Sequence, residues 1–319
     1  MMPIEDNPIL PFLEHQGVVV LDGGLATTLE ARGCDLNDEL WSARVLLEDP
    51  DTIRQVHLEF LEAGADCIAT ASYQASFPGL LRRGLSQDQA AEVLLSSVDL
   101  ACDARDQFWE SVSPEANRLR PLVGASVGPY GAFLANGAEY TGDYELDEDE
   151  LFAFHERRWH IFAGSPADLI ECETIPSEAE GRALLRLLDE TPETWAWLSF
   201  SCRDGKHISD GTPIAELATA CDAVPNVAAV GVNCTAPEFI PSLIQEVRSR
   251  TDKPAIVYPN SGERYDAERK RWGAKASDED MVTAAASWVE AGASLVGGCC
   301  RVGPSVIRGI RRTVVAADL

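Results

Sequence analysis

The strongest constraint on the fold of this chain is an alternation of short apolar runs, rich in β-branched residues, with longer segments of helical period. The helical period is clearest in Thr52–Ala63, Gln87–Ala104 and Asp278–Ala291. The first and last of these segments are each followed by a glycine, Gly64 or Gly292, which is typical of a helix C-terminus. Eight apolar runs are predicted strands: Val18–Leu21, Cys67–Thr70, Leu122–Val127, Leu169–Glu173, Trp195–Ser201, Ala228–Cys234, Ala255–Pro259 and Ser294–Gly298.

Eight strands that are apolar along their length and are each followed by a helix indicate a parallel sheet buried on both faces. The expected fold is α/β, a closed (β/α)8 TIM barrel that forms a single domain over residues 1–319. The alternative, a doubly wound sheet, needs a Gly-x-Gly-x-x-Gly turn after an early strand, and Asp22–Thr27 does not contain one. In a TIM barrel the C-terminal ends of all strands meet at one rim, so we expect the active site there.

Charge and composition narrow the possible partners. The net charge of −26 makes nucleic acids and anionic membrane surfaces poor partners. Met1–Leu13 lacks the basic and apolar regions of a signal peptide, and no run of about 18 apolar residues is present. Nine cysteines in such a chain predict the reducing cytoplasm. We expect a monomer that acts on small-molecule substrates.

Two predicted strands end at cysteines. Cys234 closes the sixth strand, and Cys299-Cys300 follow Gly297-Gly298 at the end of the eighth. Adjacent cysteines do not easily form a disulfide with each other, because disulfide geometry needs converging Cβ vectors. Three thiolates with one open position are a ligand set for catalytic zinc, so these three residues are the predicted Zn²⁺ ligands. The alternative is an ordinary core role, which is predicted for five other cysteines: Cys67, Cys102, Cys172, Cys202 and Cys221.

Two carboxylates fall on the same predicted rim. Asp22 ends the first strand and precedes Gly23-Gly24, whose N–H groups at a helix start could receive a carboxylate. Glu173 ends the fourth strand and could pair with an ammonium group. Both are interpreted as contacts for an amino-acid substrate. The alternative is that each carboxylate caps a helix.

The histidines contribute little to the predicted site. His155 and His160 are five residues apart, which is not the i, i+4 spacing of a helical ligand pair. Both are therefore predicted to be surface or packing residues. A zinc hydrolase, which uses histidine and carboxylate ligands, is disfavoured on the same ground.

Six motifs occur in order from about Val18 to the C-terminus: Asp22-Gly23-Gly24, Ser126–Gly131, Glu173–Pro176, Gly231–Cys234, Tyr258–Glu263 and Gly297–Cys300. Together they resemble the homocysteine S-methyltransferase family. The resemblance implies a zinc-bearing TIM barrel that methylates the thiol of L-homocysteine to give methionine. It also implies the roles of the matching residues. The zinc ligands would be Cys234, Cys299 and Cys300, and the substrate contacts would be Asp22, Gly23, Gly24, Glu173, Asn260 and Ser261.

The three-thiolate ligand set fits methyl transfer to sulfur. A thiol attacks a methyl group as the thiolate, and zinc binding deprotonates a thiol at neutral pH. Three protein thiolates would keep the fourth sulfur electron-rich. The methyl donor is expected to be a sulfonium or quaternary ammonium ion, which carboxylates and aromatic faces bind. The aromatic candidates in rim loops are Tyr130, Tyr140, Tyr144 and Tyr258.

Within the family, the chain length and the Gly128–Tyr144 segment most resemble the stand-alone enzymes. These use S-methylmethionine and, less well, S-adenosylmethionine. A betaine-type donor with the same acceptor is one alternative. A barrel that binds zinc or sulfur amino acids without turnover is another. Cobalamin dependence is disfavoured, because the cobalamin-dependent relatives carry this barrel as one module of a much longer chain.

Overall fold

Eight parallel strands form the centre of the molecule in a computed structural model, which describes residues 7–34, 42–262, 265–266, 271–272 and 278–315. The strands are β1 (Val19–Val20), β2 (Cys67–Ala69), β3 (Leu122–Val127), β4 (Leu169–Ile175), β5 (Ala196–Phe200), β6 (Val227–Asn233), β7 (Ala255–Tyr258) and β8 (Ala293–Val296). Hydrogen-bonded neighbours follow the order β1-β8-β7-β6-β5-β4-β3-β2. A parallel bridge between Leu21 and Cys67 joins β1 to β2. All eight predicted strands are present within two residues of their predicted ends, which confirms the TIM barrel.

Helices surround these strands. They are α1 (Leu10–Gln16), α2 (Leu25–Ala31), α3 (Ser42–Glu48), α4 (Pro50–Ala63), α5 (Phe77–Arg82), α6 (Gln87–Ser111), α7 (Tyr130–Leu134), α8 (Glu148–Ala163), α9 (Glu178–Glu190), α10 (Ile214–Asp222), α11 (Ile240–Arg248), α12 (Asp278–Glu290) and α13 (Pro304–Val314). The three helices predicted by period correspond to α4, α6 and α12. A short antiparallel pair, Tyr265–Asp266 with Arg271–Trp272, lies between β7 and α12. Among the described helices, none has both the length and the apolarity needed to cross a membrane.

Capping residues set the helix ends. The Asp49 side chain accepts a hydrogen bond from the N–H of Thr52, so α4 begins at Pro50, two residues before its predicted start. Gly64 has a φ of 114° and its N–H donates to the last turn of α4, as the sequence predicted. At the start of α8, Asp147 and Glu150 form a reciprocal capping box. The four consecutive acidic residues at positions 147–150 therefore form a helix N-terminus.

The apolar residues form two layers. An inner cluster inside the barrel includes Val19, Leu169 and Trp197, and Phe12 of α1 belongs to it. A larger outer cluster packs the strands against the helices. Because side chains alternate along a strand, Leu169 on the inner face places Glu171 and Glu173 on that same face of β4. The carboxylates of Glu171 and Glu173 therefore point into the barrel.

The five cysteines that were predicted to have core roles occupy the expected environment, with one exception. Cys67, Cys102, Cys172 and Cys221 are buried, and Cys202 is half-buried. All nine cysteines of the chain fall in the described part, and each is a free thiol.

Candidate functional site

The thiols of Cys234, Cys299 and Cys300 converge at the C-terminal rim of the barrel, and we call this group the thiol cluster. The Sγ atom of Cys234 lies 2.9 Å from that of Cys299 and 3.6 Å from that of Cys300. All three sulfurs lie within 4.8 Å of one another. Cys234 and Cys300 are buried, and Cys299 is half-buried. Strand ends of β6 and β8 thus bring together the three thiols that were predicted to meet.

The segment that follows β7 fixes the backbone of the cysteine pair. The N–H of Cys299 donates to the carbonyl of Pro259 at 2.8 Å. The carbonyl of Cys300 accepts from the N–H of Ser261 at 3.1 Å. The Ser261 hydroxyl is buried and has no hydrogen-bond partner among the described residues. Asn260 lies beside it, and its side-chain oxygen accepts from the N–H of Gly262 at 3.1 Å. Ser261 is therefore placed to contact a ligand at the cluster.

Part of the predicted rim lies outside the described residues. Glu263, which ends the Tyr258–Glu263 motif, is outside them, as is most of the long stretch from 263 to 277.

Gly23 and Gly24 lie against the turn that carries the cysteine pair. The N–H of Gly24 donates to the carbonyl of Val302 at 2.9 Å. A Cβ atom on Gly24 would lie 2.7 Å from the carbonyl oxygen of Cys299, and one on Gly23 would overlap the carbonyl oxygen of Val302. Only glycine permits this close approach. Since the Gly24 N–H is already bonded within the protein, Gly23 is the stronger candidate for contact with a substrate carboxylate.

Three non-glycine residues at the site have left-handed backbone conformations. The φ angles are 60° at Thr174, 47° at Cys234 and 67° at Arg301. Such conformations cost on the order of 1–3 kcal/mol each and persist only where surrounding contacts enforce them. Here the Asn233 side chain accepts from the N–H of Thr174 at 2.6 Å, and the Thr27 hydroxyl accepts from the N–H of Arg301 at 3.1 Å. The site is thus held in a fixed geometry, which sequence patterns do not reveal.

The thiol cluster is electrostatically asymmetric. Hydrogen bonds from Cys299 and Cys300 lower the pKa of Cys234 well below its usual value, and burial only partly opposes them. The hydrogen bond to Cys234 raises the pKa of Cys299 and likewise that of Cys300. Binding of a metal by all three would release protons.

The cluster fits a zinc ion with a small adjustment. Tetrahedral zinc holds sulfur at about 2.3 Å, which places two sulfur ligands about 3.8 Å apart. The separation of 3.6 Å between the Sγ atoms of Cys234 and Cys300 agrees with this. The Sγ atoms of Cys234 and Cys299, now 2.9 Å apart, would have to separate by about 0.9 Å to reach that value. An all-sulfur donor set is also what soft or borderline metals prefer.

Asp22 and Glu173 lie near the rim ends of β1 and β4. Asp22 accepts a hydrogen bond from the N–H of Ala69 at 2.9 Å, and the Ser126 hydroxyl donates to Glu173. Burial raises the pKa of Asp22 well above its usual value. Burial also raises the pKa of Glu173, to about 7, and the charge of Cys234 adds to this effect. Neither carboxylate caps a helix, since α2 has no side-chain cap and Ser177 caps α9.

Sequence analysis did not single out Glu171, which lies two residues before Glu173 on the inner face of β4. Its carboxylate is buried and accepts a hydrogen bond from the Cys67 thiol at 3.4 Å. A Cβ atom on Gly124 would overlap the Glu171 side chain, so the glycine provides its space. Burial, then the charges of Asp22 and Glu173, raise the pKa of Glu171 well above its usual value. The sequence signal that could have identified Glu171 is its position two residues after Leu169, on the same face of a strand that is otherwise apolar.

Of the four tyrosines considered as cation-binding candidates, Tyr140 lies against the thiol cluster. Its hydroxyl is 3.8 Å from the Sγ atom of Cys234. Tyr130 and Tyr144 instead pack against each other, with ring centroids 5.2 Å apart. Tyr258 lies inside the barrel, where its hydroxyl hydrogen-bonds to Ser199. Packing is thus the observed environment of three of the four.

The segment between β3 and α8 also brings Glu139 to the site, a residue that the sequence analysis missed. Glu139 belongs to the 3-10 helix Ala138–Tyr140. Burial raises its pKa to about 7, and the charge of Cys234 adds to this effect. Its Oε2 atom is buried and has no hydrogen-bond partner among the described residues. Since this 3-10 helix is a single turn of three residues within a long connection, no periodic pattern marks Glu139.

A second polar group lies outside the strands, and we call it the Glu180 network. Glu180 accepts hydrogen bonds from the N–H of Tyr130 at 2.6 Å, from Nε2 of His155 at 2.8 Å and from the Tyr144 hydroxyl. Nη2 of Arg158 donates to Nδ1 of His155 at 2.8 Å and to the carbonyl of Gly128 at 2.8 Å. The prediction that His155 and His160 serve packing or the surface is confirmed, since His155 is buried in this network and His160 is exposed.

Comparisons with known proteins cover almost the whole chain. The family model described as "Homocysteine S-methyltransferase" matches residues 19–314. The homocysteine S-methyltransferase YbgG of Bacillus subtilis (strain 168) is 51% identical over 304 residues, which are 95% of this chain and 96% of that relative.

Solved structures of a bacterial protein are similar as well. The metallated form of the homocysteine methyltransferase MmuM from Escherichia coli has a TM-score of 0.86 at 41% identity, over 96% of this chain and 99% of that one. The apo form of MmuM has a TM-score of 0.76 at 36% identity over the same shares.

Proposed function

Because the chain belongs to the homocysteine S-methyltransferase family, whose members transfer a methyl group to homocysteine, we propose that it uses S-methylmethionine as its main donor and Zn²⁺ as its cofactor. The observation that carries the metal part of this proposal is the thiol cluster, three sulfurs within 4.8 Å of one another at the rim of a TIM barrel. The choice of donor rests on the resemblance of the chain length and the Gly128–Tyr144 segment to the stand-alone enzymes of the family. S-adenosylmethionine is the poorer donor in this proposal. A metallated form of the similar MmuM protein supports the binding of a metal.

Cys234, Cys299 and Cys300 would hold the zinc ion and leave a fourth position for the homocysteine sulfur. When bound, zinc supplies a thiolate nucleophile at neutral pH, and three protein thiolates keep that sulfur electron-rich. The sequence-based argument against a hydrolase also applies to the observed site, because its ligand set is sulfur rather than imidazole.

Asp22 and Glu173 would bind the ammonium group of homocysteine. Burial raises the pKa of both carboxyl groups, and a cation between them would restore their charged forms. The N–H of Gly23 and the unpartnered Ser261 hydroxyl would receive the substrate carboxylate, and the Asn260 side chain fixes the turn around Ser261 by accepting from the N–H of Gly262. These contacts would orient the thiol toward the cluster.

The reaction then balances without a redox partner. The homocysteine sulfur forms a bond to the donor methyl carbon, and the bond between that carbon and the donor sulfur breaks. The electron pair of the broken bond stays on the donor sulfur, which loses its positive charge. With S-methylmethionine both products are methionine, and the thiol proton of homocysteine passes to solvent.

We further propose that the 319 residues act as one domain, as a monomer in the cytoplasm. The free state of all nine cysteines suits a reducing compartment. Large exposed apolar side chains of the described residues are Leu10, Leu47 and Leu95, on three different helices, which is not the contiguous patch of an obligate interface. Size-exclusion chromatography with light scattering would test the monomer.

The experiment for the main proposal is a donor panel on zinc-defined protein. Protein stripped by a chelator under reducing conditions is reconstituted with Zn²⁺, and metal per chain is measured by mass spectrometry. Homocysteine is then offered with S-methylmethionine, S-adenosylmethionine or betaine. We expect about one zinc per chain, and methionine formed fastest with S-methylmethionine. Zinc-replete protein that forms no methionine with any of the three would overturn the proposal, and a preference for betaine would overturn the choice of donor.

A further inference from the structure

Glu139 is a half-buried acid that lacks one of its expected partners. Its Oε2 atom is buried without a hydrogen-bond partner among the described residues. A buried carboxylate oxygen in this state is unfavourable unless something pairs with it. Such an atom needs an explanation. Glu139 directly precedes Tyr140, whose hydroxyl lies 3.8 Å from the Sγ atom of Cys234, so the partner we infer is a ligand bound beside the thiol cluster.

The backbone of Glu139 is held firmly in place. The Ser201 hydroxyl donates to its carbonyl oxygen at 2.9 Å. A Cβ atom on Gly131 would overlap the Glu139 nitrogen, so α7 packs directly on this segment. The side chain is therefore presented from a fixed position rather than from a free loop.

The groups around the Glu139 side chain are those that bind organic cations. Besides burial, the charge of Cys234 raises the pKa of Glu139, and the charge of Glu139 raises the pKa of the Tyr73 and Tyr140 phenols, so these groups are neighbours. The Tyr140 hydroxyl lies 3.8 Å from the Sγ atom of Cys234. Tyr73 packs closely against Gly128, where a Cβ atom would lie 2.7 Å from its ring. Two tyrosines and a carboxylate next to the nucleophilic centre supply both an aromatic environment and a countercharge.

Glu139 is not placed to serve as a fourth metal ligand. The group of ligand atoms that lie within 4.8 Å of one another contains the three sulfurs of the thiol cluster and does not include a Glu139 oxygen. The ammonium group of homocysteine already has Asp22 and Glu173 in the proposed function. The substrate that is left for Glu139 to contact is the methyl donor.

We propose that Glu139 recognises the positive charge of the sulfonium methyl donor, with Tyr73 and Tyr140 flanking the methyl group that is transferred. This inference rests on the proposed function and adds the residue that selects the class of donor. A carboxylate here favours a cationic donor whose charge lies next to the thiol cluster. A neutral methyl donor, such as a methyl thioether, gains nothing from it.

This role predicts a specific kinetic signature. The donor is fully positive in the ground state, and its charge is being neutralised as the methyl group moves to the thiolate. A carboxylate that binds this charge therefore stabilises the bound donor at least as much as the transition state. Its loss should raise the donor KM without lowering kcat. A proton-transfer role for Glu139 would lower kcat instead.

The test compares Glu139→Gln with Glu145→Gln, which changes an exposed carboxylate shortly after the same segment. In zinc-replete protein with saturating homocysteine, we expect Glu139→Gln to raise the KM for S-methylmethionine roughly 10- to 100-fold. The values of kcat, zinc content and homocysteine KM should stay near those of the parent protein. Glu145→Gln should change none of them. Glu139→Asp, which keeps the charge on a shorter side chain, should fall between Glu139→Gln and the parent.

The outcomes separate this inference from the proposed function. A parent protein that makes no methionine from homocysteine and S-methylmethionine contradicts the proposed function itself. A parent that is active, with an unchanged donor KM in Glu139→Gln, contradicts only the role of Glu139. A fall in kcat at unchanged donor KM also contradicts it, in favour of proton transfer. If Glu139→Gln does not fold, which circular dichroism would report, Glu139→Asp decides by the same split between KM and kcat.

Discussion

The thiol cluster with its carboxylates and the Glu180 network are both groups of buried polar side chains, yet they differ in how their charges and hydrogen bonds are balanced. In the Glu180 network, neutral His155 links the cation of Arg158 to the anion of Glu180. Burial lowers the pKa of His155, which keeps its ring neutral, so the network carries one positive and one negative charge. Nε of Arg158 is the atom of these three residues that has no partner in the described part of the chain.

At the rim, positive charges of the described residues do not balance the negative ones. Asp22 and Glu173 form no ion pair with the cations of the described residues, and Glu139 and Ser261 each present an unpartnered oxygen. Buried charge of one sign is costly unless something compensates it. The difference teaches that the charges of the Glu180 network balance within the protein alone, whereas those of the rim would be balanced by the metal and the cationic substrate groups of the proposed function.

The largest expected effect comes from removing a metal ligand. Cys299→Ser should lower the zinc content from about one per chain to a small fraction and reduce methionine formation about 1,000-fold or more, because one of three sulfur donors is lost. The stability of the metal-free protein should change by no more than about 1 kcal/mol, since Cys299 is only half-buried. Metal analysis, initial rates and urea unfolding would measure the three quantities.

The matched control is Cys221→Ser, which places the same substitution at a buried thiol in α10, away from the cluster. It should lower the stability while leaving zinc content near one per chain. If Cys299→Ser kept its full zinc content, the assignment of Cys299 as a ligand would be wrong, and the contrast between the two polar groups would lose its basis.

The residues that sequence analysis identified and those it missed differ in where they lie. Cys234 and Cys299-Cys300 are 65 positions apart, yet a TIM barrel brings all strand ends to one rim, so fold class alone predicted their meeting. Glu139 and Tyr73 lie in loops between strands and helices. No period constrains a loop, and its position depends on tertiary contacts such as the one between Gly131 and Glu139.

The same limit explains why sequence patterns did not show how the tyrosines pack or that α1 is present. Tyr130 and Tyr140 are both loop tyrosines in the sequence, and the pairing of Tyr130 with Phe154 and Tyr144 is visible only in the fold. Helix α1 has seven residues, too few for a clear helical period, and it is held by Phe12 packing into the inner cluster. Sequence patterns thus report the strand framework well, whereas contacts between loops follow from the folded chain.

Breaking the Glu180 network should damage stability more than chemistry. Glu180→Ala removes the acceptor of Tyr130, His155 and Tyr144 and leaves Arg158 as an uncompensated buried cation. We expect the free energy of unfolding to fall by about 3 kcal/mol. Zinc content should stay near one per chain, and kcat/KM should fall by no more than about tenfold, through looser positioning of the segment that carries Tyr140. Urea unfolding and donor kinetics would measure both.

Glu190→Gln, an exposed change at the end of the same helix, is the control and should alter neither quantity. Loss of zinc from Glu180→Ala protein that is still folded would contradict the separation of the two polar groups. It would mean that the network is part of the metal site rather than a support for its loop.

The smallest expected effect concerns His57. This residue shows that a buried group without a partner does not by itself indicate a ligand. Both ring nitrogens of His57 are buried without a partner in the described chain, yet it lies on α4 among apolar residues. Burial lowers its pKa to about 4. The unfolded chain binds a proton near pH 6.5 and the folded chain near pH 4, so stability is complete above pH 6.5 and declines as the pH falls toward 4.

Between pH 7.5 and pH 5.5 this linkage should cost about 1 kcal/mol of the free energy of unfolding. His57→Leu removes this linkage. As the pH falls, the variant should therefore gain that amount of stability relative to the parent, because the other titratable groups are common to both. His160→Gln, at an exposed position on α8, should leave the pH dependence unchanged. If the difference in stability between the parent and His57→Leu stayed constant over this range, His57 would have to be solvated or paired. The unpartnered oxygens of Glu139 and Ser261 would then be weaker evidence for ligand contacts at the rim.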